Sequence, residues 1–269
     1  MADLVDAGPQ IGLATSVYSP GSNRFAFGVI GADGDLSFAP SAVYVAETAA
    51  APARGPFVAT LDPLLVEPEF RSADSAAASD IFAAIYSTTI PLPGVGTYEI
   101  LVVSREGERL LGAPTIIAVE PTTPVPDVGD PAPRVATDTL ASADGDLGSI
   151  ETRDPSDGMH DASLTDVLGR RPVAVLFSTP ALCESRVCGP VLDVAVQLES
   201  RYGDRVAFIH QEVFVDNRPD KGFRPPLEAF GLPTEPWLFT IDAGGRVATR
   251  LEGSFGIREF EAALQAALR

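Results

Sequence analysis

Short apolar runs, broken every few residues by turn formers, fill the first 120 positions. Phe25 to Ile30 reads as a strand, and Asp33-Gly34 after it is a hairpin signal between two apolar runs. "SAVYVAE" continues the pattern. "GTYEILVVSREGERLLGAPTIIAVE" predicts strand, Glu-Gly turn, strand and strand, whereas "SADSAAASDIFAAIY" fits a short helix or a loop entering a strand. Many short strands with frequent turns argue for a β-sandwich of about 100 residues. No histidine or cysteine occurs in this half, so no catalytic constellation is visible there.

The pattern changes after "EPTTPVPDVGDPAPR", a proline-rich stretch that reads as a semi-rigid linker. Beyond it, long apolar runs alternate with helical periodicity. "RPVAVLFS" is continuously apolar, as a strand buried on both faces should be. In "GPVLDVAVQLESRYGD" the residues Val191, Val194, Ala195, Leu198 and Tyr202 share one helical face. "RVAFIHQEVFVD" is a second strand, so this βαβ unit predicts parallel strands. A short helix ending at Gly231 follows. Then come two strands joined at Asp242–Gly245 and a closing amphipathic helix with Phe260, Leu264 and Leu268 on one side. The expected organisation is a β-sandwich over 1–120, a linker over 121–133 and an α/β domain over 134–269.

Net charge is −18 and no basic cluster exists. Phosphate contacts need Lys and Arg, which excludes nucleic acid as an expected partner, and an anionic lipid surface likewise. No stretch reaches the roughly 18 apolar residues of a membrane span. The first residues, "MADLVDAGPQ", lack the basic and apolar regions of a signal peptide. The expectation is an extracytoplasmic protein whose signal segment or membrane anchor belongs to a longer precursor, with a cytoplasmic location as the alternative.

The chemistry concentrates in "STPALCESRVCGPV". Cys183 and Cys188, the only cysteines, stand between the first α/β strand and its helix. A thiol at a helix N-terminus meets unsatisfied N–H groups and the positive end of the helix dipole, and both favour thiolate. Five residues of regular helix rotate a side chain by about 140° net, so the pair can meet only if Cys183 lies outside the helix. Pro180 and Pro190 make that reasonable and place the helix start near Gly189, with both cysteines in a loop before it.

Strand and helix order, the cysteine position, "VGDPAPRV" at the domain entry and "LPTEPWLFTIDAGGRVATRLEG" near the end together resemble the thioredoxin-like superfamily, in its redoxin and membrane-tethered branch. The resemblance covers about half the chain and implies a thioredoxin fold behind the sandwich. It also implies that Pro236 is the family's cis-proline, lining a partner groove. The reaction it implies is thiol–disulfide exchange with protein thiols or disulfides, Cys183 as nucleophile, Cys188 as resolving thiol, and no cofactor. Three alternatives stand beside it. A peroxiredoxin-like peroxidase would use the C-x4-C pair, although Leu176 and Pro180 occupy that family's Pro and Thr positions. A Sco-like copper protein would bind through Cys183, Cys188 and His210. A catalytically silent module would keep the cysteines as a staple. His160 in "DGMHDASL" reads as exposed, Glu212 as solvated and Trp237 as packing. The glycines before Tyr98 resemble the tyrosine corner of immunoglobulin-like sandwiches, which makes the first domain immunoglobulin-like by resemblance.

Overall fold

The computed structural model describes residues 6–31, 34–73, 83–183 and 186–269. The predicted turn residue Asp33 lies outside them, as does 74–82 in the ambiguous "SADSAAASDIFAAIY" stretch. The chain divides into two compact units, 1–62 with 84–123, and 63–83 with 124–269.

The first unit is built of two sheets. One runs in the order β1 (Asp6–Ala7), β10 (Arg109–Val119), β9 (Gly96–Glu106), β5 (Ser41–Ala46), β6 (Arg54–Val58). The other runs β2 (Gln10–Leu13), β3 (Gly21–Ile30), β8 (Ala84–Leu92), β7 (Thr60–Pro63), with β4 (Leu36–Ser37) paired to β3. β10 with β9, β9 with β5, β5 with β6, and β3 with β2, β4 and β8 are antiparallel, whereas β1 with β10 is parallel. Strand alternation sets the core: Tyr98, Ile100 and Val102 of β9 and Val43 and Val45 of β5 point inward. They join Phe25, Phe27 and Ile90 of the other sheet in one apolar cluster. The Tyr98 hydroxyl donates to the Gly94 carbonyl and accepts from the Gly94 N–H, both at 3.0 Å, closing the turn into β9.

In the second unit the sheet order is β12 (Ala207–Gln211), β11 (Val173–Phe177), β13 (Trp237–Ile241), β14 (Val247–Glu252). β11 and β12 are parallel, and β13 is antiparallel to β11 and β14. Every residue of β11 and β13 is buried, which explains their unbroken apolar sequence. The short α1 (Leu164–Val167) precedes β11, α2 (Cys188–Tyr202) links β11 to β12, and α3 (Pro225–Ala229) precedes β13. α4 (Ile257–Ala267) closes the unit, burying Phe260, Ala263 and Leu264, and the Thr240 hydroxyl donates to the Ala263 carbonyl at 2.9 Å. Phe177, Phe230 and Phe239 form an aromatic cluster with centroids 4.8–6.1 Å apart. A βαβ unit followed by a helix, an antiparallel strand pair and a last helix, in this sheet order, is a thioredoxin-like fold over about half the chain.

Two features carry no pattern that marks them in sequence. Residues 63–83 fall between β7 and β8, yet belong to the second unit. There the Glu67 N–H donates to Gln197 Oε1 at 2.7 Å and the Ser72 N–H to Asp193 Oδ1 at 3.0 Å, both on α2. The far end of the proline-rich stretch is docked rather than free: Gly129 N–H donates to the Val247 carbonyl and Val247 N–H to the Asp130 carbonyl.

Candidate functional site

β11 delivers the chain to Ser178 and Thr179, both fully buried, and the loop beyond carries Cys183. The helix begins at Cys188, one residue before the expected start, with Pro190 tolerated in its first turn. Cys183 therefore lies in the loop and Cys188 at the first helical position. Cys183 keeps 9% of its surface exposed and Cys188 none, and the two are not joined in a disulfide. They lie near each other: burial and a side-chain hydrogen bond with Cys183 push the Cys188 thiol well above its usual range. The Thr179 backbone N–H works in the opposite direction and Glu235 adds to the rise, so burial and the neighbouring groups outweigh that one bond. Glu235 precedes Pro236, and the bond between them is cis. Trp237 is buried as expected, its indole N–H donating to Thr234 Oγ1 at 3.0 Å.

A protonated, buried Cys188 has a direct consequence. In the reduced native protein at pH 8, iodoacetamide is expected to alkylate Cys183 at least about tenfold faster than Cys188, because thiolate is the nucleophile. Trypsin cuts after Arg186, between the two, so peptide mass spectrometry reads each rate separately. Equal rates would remove the assigned difference.

A second cluster lies at the end of β12. His210 is fully buried, and its Nε2 is 3.1 Å from the Ser178 carbonyl. Its Nδ1 is 2.7 Å from Asp157 Oδ2. Burial would lower the His210 pKa, but the Asp157 and Glu212 charges and the Ser178 carbonyl raise it to about 9. Burial likewise opposes ionisation of Asp157, and the His210 and His160 charges override it and hold that carboxyl well below the usual range. His160 is pushed down to about 4 by burial and by His210. Its ring centroid lies 5.3 Å from that of His210. Glu151 is raised by burial and by the Asp157 charge.

Two sequence expectations are corrected here. His160 is 3% exposed rather than solvated, because residues 151–160 fold back into the unit. Arg153 anchors that turn with its guanidinium donating to Asp193 at 3.0 Å, to the Phe70 carbonyl at 2.8 Å and to the Pro155 carbonyl. Glu212 is fully buried rather than solvated, its Oε1 accepting from the Thr152 N–H at 2.7 Å and hydroxyl at 2.6 Å. Among the described residues, the group of potential metal ligands that comes together is Glu151, Asp157, His160 and His210. Cys183 and Cys188 stand outside it, so the trio Cys183, Cys188 and His210 of the copper alternative is not gathered.

No family model matches the chain, and no curated protein does. Among solved structures, it is similar to a Chlorobium tepidum chain carrying the name thiol:disulfide interchange protein DsbE. Identity is 17%, coverage 54% of this chain and 99% of that one, and the TM-score 0.37. A second Chlorobium tepidum structure, a thiol:disulfide interchange protein of the thioredoxin family, has 19% identity, 53% and 99% coverage and a TM-score of 0.35. The PKD domain of human VPS10 domain-containing receptor SorCS2 is 13% identical over 44% of this chain and 78% of that one, with a TM-score of 0.22. The fold assignment rests on sheet order and connectivity, not on these likenesses.

Glu151, Arg153 and Asp157 carry no sequence signal of their own. They sit in a Pro-, Gly- and Asp-rich turn segment without periodicity. Only the close spacing of Glu151, Asp157 and His160 in that segment hints at a shared site.

Proposed function

We propose that the chain is a thiol–disulfide oxidoreductase of thioredoxin-like type acting on protein thiols or disulfides through Cys183 and Cys188. One observation carries this reading: two thiols not joined in a disulfide lie near each other at the β11–α2 junction. Cys183 is the attacking thiol because it is the less buried and stands outside the helix. Cys188 resolves. Pro236 shapes the surface a partner segment would meet. The two-sheet unit is an immunoglobulin-like module that spaces the redox unit or docks a partner, a reading supported by the Tyr98 hydroxyl bonds to Gly94. An extracytoplasmic location goes with it. Among the described residues no helix is long and apolar enough to cross a membrane.

Equilibration in graded thiol/disulfide buffers, followed by alkylation and mass spectrometry, tests the reading. The expected result is reversible two-electron oxidation with a midpoint between about −120 and −270 mV. A midpoint below about −300 mV would make the pair a structural staple, and a pair that never oxidises would end the proposal.

A further inference from the structure

Four ionisable side chains are enclosed together between β12 and the turn segment 151–160, and the redox reading uses none of them. Glu151, Asp157, His160 and His210 are all buried, and one ligand atom from each lies within 4.8 Å of the others. Nε2 of His160 is 3.8 Å from Glu151 Oε2 and 3.7 Å from Asp157 Oδ1. Four ligands around an ion at about 2.1 Å stand about 3.4 Å apart in a tetrahedron, so the 3.7 and 3.8 Å separations close with shifts of a few tenths of an ångström and the widest, within 4.8 Å, with side-chain movement of about 1 Å.

The unmet hydrogen bonds are the second observation. Asp157 Oδ2, His210 Nδ1 and both ring nitrogens of His160 are buried without a hydrogen-bond partner. His210 Nδ1 and Asp157 Oδ2 meet each other at 2.7 Å as an ion pair, which leaves the His160 ring as the group with nothing to answer it. Buried polar atoms without partners are costly and rare, and one ion would engage Asp157, Nδ1 of His210 and one nitrogen of the His160 ring together.

The outer contacts fit too. A metal-bound histidine characteristically donates its other ring N–H to a carbonyl or carboxylate. His210 is set to do so, with Nε2 at 3.1 Å from the Ser178 carbonyl. Glu151 accepts from the Ser156 hydroxyl and the Asp157 N–H, both at 2.6 Å, and Asp157 Oδ1 accepts from the Met159 N–H at 2.7 Å. These bonds orient both carboxylates. Once His210 gives up its proton to ligate, two carboxylates with two neutral imidazoles carry charge −2, which a divalent ion neutralises.

We propose that Glu151, Asp157, His160 and His210 form a binding site for one divalent first-row metal ion. An all-nitrogen-and-oxygen ligand set suits Zn²⁺, Fe²⁺ or Mn²⁺ rather than Cu⁺, which favours sulfur. The ion would clamp the 151–160 turn to the end of β12. Through the Ser178 carbonyl, it would also brace the segment that leads to the cysteines.

Zn²⁺ and Co²⁺ are the probes. The full-length protein, stripped with chelator, is dialysed against each ion, and bound metal is measured by mass spectrometry and Co²⁺ visible absorption. The expected result is one Zn²⁺ per chain in wild type and in the Cys183→Ser/Cys188→Ser double variant. The Co²⁺ spectrum should lack a sulfur-to-metal charge-transfer band. His160→Gln and Glu151→Gln should each weaken binding by about 10- to 100-fold or more. Circular dichroism checks that both remain folded, and added Zn²⁺ should raise the thermal midpoint of wild type more than theirs. Failure of folded wild type to bind a stoichiometric ion would overturn the proposal. So would binding that disappears with the cysteines, or that His160→Gln and Glu151→Gln leave unchanged. The redox titration is read on the cysteines alone, so either proposal can fail without the other.

Discussion

Cys183→Ser is expected to abolish disulfide exchange, lowering its rate by at least about 10³-fold, the scale on which losing an attacking nucleophile is felt. Cys188→Ser should behave differently and accumulate a stable mixed disulfide, one partner per chain. The asymmetry follows from placement. Cys183 lies in the loop and is partly accessible, whereas Cys188 is fully enclosed and held as a thiol by burial and by Cys183. On the proposed reading, the Cys183 thiolate attacks a partner disulfide in the forward step, forming one S–S bond and releasing one partner thiolate. Cys188 then attacks the Cys183 sulfur and its proton goes to the first departing thiolate. The second partner sulfur leaves, the partner gains two electrons, and Cys183–Cys188 becomes the disulfide. Non-reducing mass spectrometry with a disulfide-bonded peptide distinguishes the variants. Equal trapping by Cys183→Ser and Cys188→Ser would reverse or dissolve the assigned roles.

Arg153→Ala should be the most destabilising single change outside the apolar core. Arg153 and Asp193 are buried with 2% and 1% of their side chains exposed, 3.0 Å apart. Removing the guanidinium leaves the Asp193 carboxylate without its cationic partner and strips donors from the Phe70 and Pro155 carbonyls. Breaking one half of a buried pair costs about 3–5 kcal/mol. At about 2–4 °C per kcal/mol for a unit of this size, the thermal midpoint should fall on the order of 10 °C. An Arg153→Met/Asp193→Leu double variant should recover much of the loss, since the cost lies mainly in the orphaned charge. A loss below about 1 kcal/mol in chemical denaturation would mean that the pair is not the anchor of the 151–160 turn. Because Glu151 and Asp157 ride on that turn, Arg153→Ala should also loosen the carboxylate–histidine cluster, which connects local stability to the second site.

Both halves of the chain were readable as classes because periodicity is a local property. The continuous apolar run of β11 requires burial on both faces, and the repeat along α2 requires one buried side. The order of these elements restricts the sheet to very few topologies. Cysteine placement was readable for the same reason: a residue between a buried strand and an amphipathic helix must lie at a sheet end. Pro236 was singled out by the family resemblance rather than by periodicity, and its bond to Glu235 is cis.

Burial in the turn-rich segments was not readable. Nothing near His160 distinguishes a solvated loop from one folded inward, because the deciding contact is between Arg153 and Asp193, on α2. Glu212 read as solvated because its partner is Thr152, 60 positions away. Segment 63–83 falls inside the first β region in sequence, but its hydrogen-bond partners on α2 lie more than 100 residues onward. Local sequence therefore determined the elements, their order and the place of the thiols. Tertiary structure alone decided which polar side chains would be enclosed together, because enclosure depends on chain segments that have no pattern in common until folding brings them into contact.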